Sequence, residues 1–249
     1  MSYEKSIEQI GDRPGVGIQQ WLVRRTVQRF LGSEDSASVL EIGTGVGRVA
    51  VEVSRLGHHY LGVEPTSSLR DAAQHRLSAL GTTSEIIDSA LPDLPGVVGS
   101  SFSHAMALHV LEHASSSEAA LQWIRGIATK VRPGGRILIV CPNFLDLGGY
   151  FYDADWTHGW VSTTSRIVMV GEEAGLKVVD ERDLRGTFSN APMRTLLCLL
   201  SWLFPTHLVN WSVFRLFKIR NFGTGIQTAL FWRMSWVVFE RDVNTGQRP

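Results

Sequence analysis

SVLEIGTGVGRVAVEV, residues 38–53, decides the fold. An apolar run, a glycine-rich stretch and a second apolar-patterned run read as buried strand, tight loop and helix. Glycines there let the backbone turn sharply and approach a ligand closely. The N–H groups opening the helix then face that ligand. Dinucleotide enzymes also use a glycine loop, so two details matter. In G-x-G-x-x-G counted from Gly43, the third glycine falls at position 48, where Arg48 stands; the spacing is instead G-x-G-x-G, through Gly45 to Gly47. Glu41 lies two residues before the first glycine. Its carboxylate would repel a pyrophosphate and attract an ammonium group.

Working outward, the same alternation continues. HHYLGVE (58–64), SEIIDS (84–89), FSHAMALH (102–109), RILIVCP (136–142), LKVVDERDL (176–184) and SWVVFERD (235–242) read as further strands. Between them lie helices: one through about Leu56, one from Ser67 or Ser68 to about Leu80, and one opened by a Ser115–Glu118 capping box and running to about Val131. Ahead of the first strand, Ile18, Trp21, Leu22 and Phe30 are spaced for one helical face. RPGGR (132–136) reads as a turn, and residues 143–175 as less regular. The expected architecture is α/β: a Rossmann-like, seven-stranded, mostly parallel sheet with helices on both faces and a C-terminal helical insertion. The expected division is an N-terminal arm and helix (1–35), a core (36–189), a helical insertion or cap (190–233), and a final strand with tail (234–249).

Composition bounds the function. The 249 residues include 24 glycines and 44% hydrophobic residues, enough for a sizeable core. Lys+Arg and Asp+Glu each total 24, so the chain lacks the basic footprint of a general nucleic-acid binder. Cys141 and Cys198 sit in apolar runs and read as buried free thiols, which suits a reducing compartment, the cytoplasm. Residues 1–17 read as a polar mobile arm without an apolar signal core. His58 and His59 read as surface residues.

The second strand ends in Glu64, spaced to accept from both hydroxyls of a ribose. Asp88, ending the third, can accept from an exocyclic adenine amine. Three acids at successive strand ends beside a glycine loop describe a crevice for a positively charged amino-acid nucleoside.

VLEIGTGVGRVA and YLGVEPTSSL, with HVLEH (109–113) and VRPGGRILIVCPN (131–143), resemble the motifs of class I S-adenosylmethionine-dependent methyltransferases, in the branch acting on small molecules and glycans. The resemblance covers roughly residues 36–143. It implies that Glu41, Gly43, Thr44 and Gly45 hold the methionine moiety and Glu64 the ribose. Pro65 and Leu69 would border the adenine, Asp88 and Ser89 would bind it, and backbone near Leu108 and His109 would meet the ammonium. No [DN]PP[YF] tetrapeptide follows the fourth strand, which argues against amino-group methylation of nucleic-acid bases.

For an acceptor hydroxyl, the candidate bases are His113, and Asp155 with His158 in YDADWTH. Related chains carry a similar D-x-T-H segment lining the acceptor pocket. HVLEH also fits the zinc-peptidase pattern H-x-x-E-H. That pattern needs one helix, whereas His109 ends a strand and Ser115 looks like a helix cap, so no metal is expected. TLLCLLSWLF (195–204) and LVNWSVFRLF, flanked by Arg194, Arg215, Lys218 and Arg220, have two readings. One is an interfacial helix pair with Trp202 and Trp211 at headgroup depth, making the protein peripheral at a membrane. The other is a cap over the acceptor pocket or a homodimer face. The expected activity is methyl transfer to a small molecule or glycan, at oxygen. A catalytically silent binding module and a nicotinamide-dependent oxidoreductase are the alternatives.

Overall fold

The computed structural model describes residues 16–82, 84–97, 102–149, 151–152, 155–185, 196, 200, 203, 205–218 and 233–242. The elements run α1 (Val16–Leu31), β1 (Ser38–Ile42), α2 (Arg48–Arg55), β2 (His59–Val63), α3 (Ser67–Ser78), β3 (Glu85–Ile87), β4 (Phe102–Leu108), a 3-10 turn (Leu111–His113), α4 (Ser117–Lys130), β5 (Val131–Pro142), α5 (Phe144–Leu147), α6 (Thr164–Glu173), β6 (Leu176–Arg185), α7 (Thr206–Phe217) and β7 (Arg233–Arg241). The strands form one sheet in the order β3-β2-β1-β4-β5-β7-β6. β1 to β5 are parallel, and β7 runs antiparallel between β5 and β6. The chain winds outward from β1 to β3 and then returns to β4 on the other side of β1. The carboxyl ends of β1 and β4 therefore flank the switch-point crevice where sheets of this kind bind ligands.

The strands are apolar on both faces because helices cover both. Leu40 and Ile42 point into one core with Ala105, Ile124, Ile137 and Trp160. Val39, between them, points into the other with Val27, Phe30, Val53 and Tyr60, as the two-residue strand period requires. α1 is tied down by a charge as well as by packing. The buried Glu52 of α2 accepts from Gln20 Nε2 (2.8 Å), Arg24 Nε (3.1 Å) and Arg55 Nη1 (3.2 Å).

Several sequence expectations are corrected. Ser116, not Ser115, caps α4, its hydroxyl accepting from the Ala119 N–H at 3.1 Å, so no Ser115–Glu118 box forms. Thr66 precedes α3 and makes no side-chain cap. The RPGGR segment lies within β5 as an irregularity: Phe102 pairs with Val131, and the register resumes at His104 with Arg136. The stretch read as irregular contains α6, whose signals were Thr163 at its N-cap and Gly175 just beyond its end. His58 is buried, its Nδ1 accepting from the Ala37 N–H at 3.2 Å, while His59 is exposed. Cys141 is a buried free thiol. Residues 1–15, Arg194, Cys198, Trp202 and Arg220 lie outside the described residues.

Gly47 sets the approach of α2 to α3. Its φ is +81°, and a Cβ there would stand 2.9 Å from Ala73 Cβ. Gly47→Ala is expected to lower unfolding stability by about 2–4 kcal/mol, from strain and overpacking together. Adding Ala73→Gly should recover the packing share, measured by urea denaturation. A single variant as stable as wild type would remove this constraint.

Candidate functional site

The three loop glycines serve different ends. A Cβ at Gly43 would meet Val110 Cγ2 at 2.6 Å, and Gly47 makes room for α3. At Gly45, φ is +54° and nothing lies within 4 Å of the Cβ position, so this backbone faces open space at the crevice. The loop is held from below and from the side. Gly43 and Thr44 both donate their N–H to Val63 O, at 2.9 and 3.1 Å. Glu64 accepts from the Gly45 N–H at 2.9 Å and from the Thr66 N–H at 3.0 Å, one on each carboxylate oxygen. Each oxygen keeps a further acceptor site, which suits a ribose diol.

Glu41 is not at a strand end. It lies within β1, buried beneath the loop, and Tyr60 Oη donates to it at 2.5 Å. Tyr60 Oη also lies 3.1 Å from Thr44 Oγ1, so strand, loop and second strand share one network. Sequence reading missed Tyr60. The available signal was its position two residues before Gly62, on the same face of β2; a Cβ at Gly62 would collide with both Thr44 Oγ1 and Tyr60 Oη. Burial raises the Glu41 carboxyl to about 8, opposed by the Tyr60 hydrogen bond and aided by the charge of Glu64.

The remaining cofactor candidates divide. Asp88 is exposed and pairs with Arg70 Nη2 at 3.0 Å. Ser89 is buried and donates to Pro95 O at 2.5 Å, so its hydroxyl proton is already committed. Pro65 is exposed, and its carbonyl accepts from Arg70 Nη1 at 2.7 Å. Leu69 faces the interior of the fold, and Leu108 is partly buried at the end of β4. His109 has φ +58°, and its N–H is spent on Val140 O at 2.8 Å, which leaves carbonyls for a ligand there.

HVLEH forms no helix: His109 precedes a single 3-10 turn, Leu111–His113. The 155–160 segment docks on that turn. Gly159 and Trp160 both donate their N–H to Glu112 O, at 2.9 and 3.1 Å. A side chain at position 159 would strike Ala114 O at 2.6 Å, which is why glycine stands there. The contact sets the His113 and His158 rings 5.1 Å apart. Asp155 Oδ1 accepts from the Thr157 hydroxyl at 2.7 Å, and Thr157 Oγ1 lies 2.8 Å from His113 Nδ1. Phe144, Phe151 and Tyr152 form an aromatic group beside them, with Phe151 4.5 Å from the His158 ring. All three catalytic candidates thus meet in one place, and sequence reading missed how Glu112 anchors them.

Glu112 is buried, which would raise its carboxyl, but the hydrogen bond from His109 Nδ1 (3.3 Å) and the neighbouring imidazole charges hold it below the usual range. For His109, desolvation works downward and the Glu112 pairing upward, and the pairing wins. Burial, then the Glu112 charge, pushes the Cys141 thiol up, so it stays protonated.

Because the folded chain keeps the Glu41 proton to about pH 8, while the unfolded carboxyl loses it near the ordinary 4.5, the folded state binds more protons across that window. Stability of the ligand-free protein should therefore fall as pH rises from 4.5 to 8. Glu41→Gln should flatten the slope of unfolding free energy against pH. An equally steep slope in the variant would assign the effect elsewhere.

The open backbone at Gly45, the free acceptor sites of the Glu64 carboxylate and the exposed Asp88 are groups that a ribose-bearing nucleoside can use, while Glu41 lies beneath them, bonded to Tyr60. A family model described as a methyltransferase domain matches residues 18–191. A ubiquinone biosynthesis O-methyltransferase of Methylobacterium nodulans is 27% identical over 179 residues, 64% of this chain and 70% of the relative. A tuberculostearic acid methyltransferase of Mycobacterium tuberculosis is 26% identical over 175 residues, 65% of this chain but only 40% of the relative. Among solved structures, magnesium protoporphyrin IX methyltransferase of Synechocystis, with bound SAH, shares the fold at a TM-score of 0.58 and 14% identity, over 90% of this chain and 84% of that one. The chain belongs to the methyltransferase-domain family, within the class I S-adenosylmethionine-dependent methyltransferases, and S-adenosylmethionine is its cofactor.

Proposed function

We propose that this protein transfers the methyl group of S-adenosylmethionine to an oxygen of a small, lipophilic acceptor. The observation that carries the reading is the meeting of His113, His158 and Glu112 beside the carboxyl end of β4, backed by Asp155 and Thr157 and walled by Phe144, Phe151 and Tyr152. The cofactor supplies a methyl on a sulfonium with a neutral leaving group, so the protein's task is chiefly orientation. Gly43, Thr44 and Gly45 with Glu41 would hold the methionine part and Glu64 the ribose. Asp88, Pro65 and the β4 end at Leu108 and His109 would border the rest. An acceptor hydroxyl brought between the imidazoles gives up its proton there as the methyl arrives. The exposed Leu145 and Trp156 beside this group suit an apolar molecule better than a sugar. The two curated relatives are named for a quinone pathway and for a fatty acid, which supports the same choice.

The acceptor class also makes sense of α7. Leu208, Trp211, Phe214, Leu216 and Phe217 are exposed on it, with Arg215 over the Trp211 ring and Lys218 over Phe214. Apolar side chains carrying cations at their edge suit the headgroup zone of an anionic membrane. No helix among the described residues is long and apolar enough to cross one.

Gly45→Val and Glu64→Ala should each weaken S-adenosylmethionine binding at least tenfold in calorimetry. His158→Ala should leave that affinity intact yet slow transfer to a phenolic or enolic lipid by about 10²–10⁴-fold. Mass spectrometry of the product decides the atom. Methylation found only at nitrogen or carbon would end the oxygen reading. In sedimentation with vesicles containing anionic lipid, Trp211→Ala with Phe217→Ala should reduce binding several-fold. Equal pelleting of variant and wild type would remove α7 from membrane contact.

A further inference from the structure

One ring nitrogen each from His113 and His158 and one carboxylate oxygen of Glu112 lie within 4.8 Å of one another. The partners of the other atoms fix what these groups offer. His158 Nδ1 lies 2.6 Å from Phe151 O, which only accepts, so the proton sits on Nδ1 and the lone pair on Nε2. Thr157 spends its one hydroxyl proton on Asp155 Oδ1, so Thr157 Oγ1 accepts from His113 Nδ1–H, and that ring too carries its lone pair on Nε2. Glu112 Oε1 pairs with His109 Nδ1. Glu112 Oε2 is buried and has no hydrogen bond of ordinary geometry among the described residues; the weakly donating Cys141 thiol is the polar group that faces this carboxylate. A buried carboxylate oxygen left this way destabilises the fold unless something fills the place.

The geometry points to a site for a divalent transition-metal ion, held by Nε2 of His113, Nε2 of His158 and the carboxylate of Glu112, with open positions for an acceptor oxygen. Two imidazoles and a carboxylate are the donor set of catalytic zinc and of mononuclear iron(II) centres. Metal-bound histidines carry their second N–H on a carbonyl or a carboxylate-linked group, and both rings here do so, through Phe151 O and through Thr157 to Asp155. Donors around one ion stand about 3–3.5 Å apart at ordinary bond lengths. Side-chain rotation closes that gap, because the backbone of the two halves is already joined at Glu112 O. Spacing along the chain hides the site: His109 of HVLEH is not a ligand, and the third donor comes from 45 residues beyond His113, at His158. An ion here would take both Nε2 lone pairs and so replace the imidazoles as the group that activates the acceptor: it would bind the hydroxyl and acidify it, with the released proton passing to solvent. This role rests on the proposal that the acceptor oxygen arrives at these residues.

Tag-free protein, stripped with chelator, would be titrated with zinc chloride in a calorimeter and with cobalt(II) followed by visible absorption. One ion per chain is expected. His113→Ala, His158→Ala and Glu112→Gln should each weaken binding at least tenfold, and Thr157→Val about tenfold by releasing the His113 ring. Unchanged S-adenosylmethionine affinity shows that each variant is folded. Wild type that takes up no ion at submillimolar metal, or a His113→Ala/His158→Ala double variant that binds as tightly as wild type, would overturn the site. Stripped enzyme that methylates an oxygen at full rate would overturn the metal's role and leave the function standing. An ion bound through these three residues without any O-methylated product would do the reverse.

Discussion

A buried carboxyl at Glu41 holds the floor of the glycine loop together, and its place depends on a missing side chain. Gly62 leaves the room in which Tyr60 and Thr44 reach each other. Tyr60 can then donate to Glu41, which lies opposite Gly62 in the parallel register of β1 and β2. The network ties the floor of the glycine loop to two strands, so the loop cannot shift without breaking hydrogen bonds in a dry interior, where they are costly to lose. Above this floor, Val63 O and the Glu64 carboxylate fix the loop's backbone from the neighbouring strand. The backbone at Gly45 is left facing outward.

The cluster around His113 and His158 is built on a different principle. Its side chains come from segments far apart in sequence, and one carbonyl, Glu112 O, joins them by taking the N–H groups of Gly159 and Trp160. Trp160 then anchors the segment: its ring is buried and its Nε1 donates to Ser117 Oγ at 3.0 Å, at the start of α4. The buried floor of the glycine loop and a wall assembled from a turn and a connecting segment meet at the carboxyl end of β4. The first is made mostly of backbone and buried carboxyl groups. The second is made of imidazoles and aromatic rings, whose arrangement can vary without disturbing the sheet.

Much of this was legible along the chain. The β1 run, the loop and α2 are contiguous, so strand burial, the G-x-G-x-G spacing and the acid before it could be read directly. Element boundaries drifted by a residue where two serines compete for one cap, as at Ser115 and Ser116. α6 escaped because its cap and stop, Thr163 and Gly175, lie in a segment whose neighbourhood looks irregular. His58 was misread because one buried histidine and one exposed histidine look alike when adjacent; only the Ala37 N–H across the chain distinguishes them.

The sequence by itself determined the mostly parallel sheet and the glycine loop, because those signals are local: periodicity, glycine placement and an acid at fixed spacing. Only the tertiary structure decided that Glu41 is sunk beneath the loop with Tyr60, and that Asp88 rather than Ser89 stands open. It alone brought His113, His158 and Glu112 into one cluster. Those facts depend on strand register and on a docking contact between distant segments, and neither leaves a periodic trace in the order of the residues.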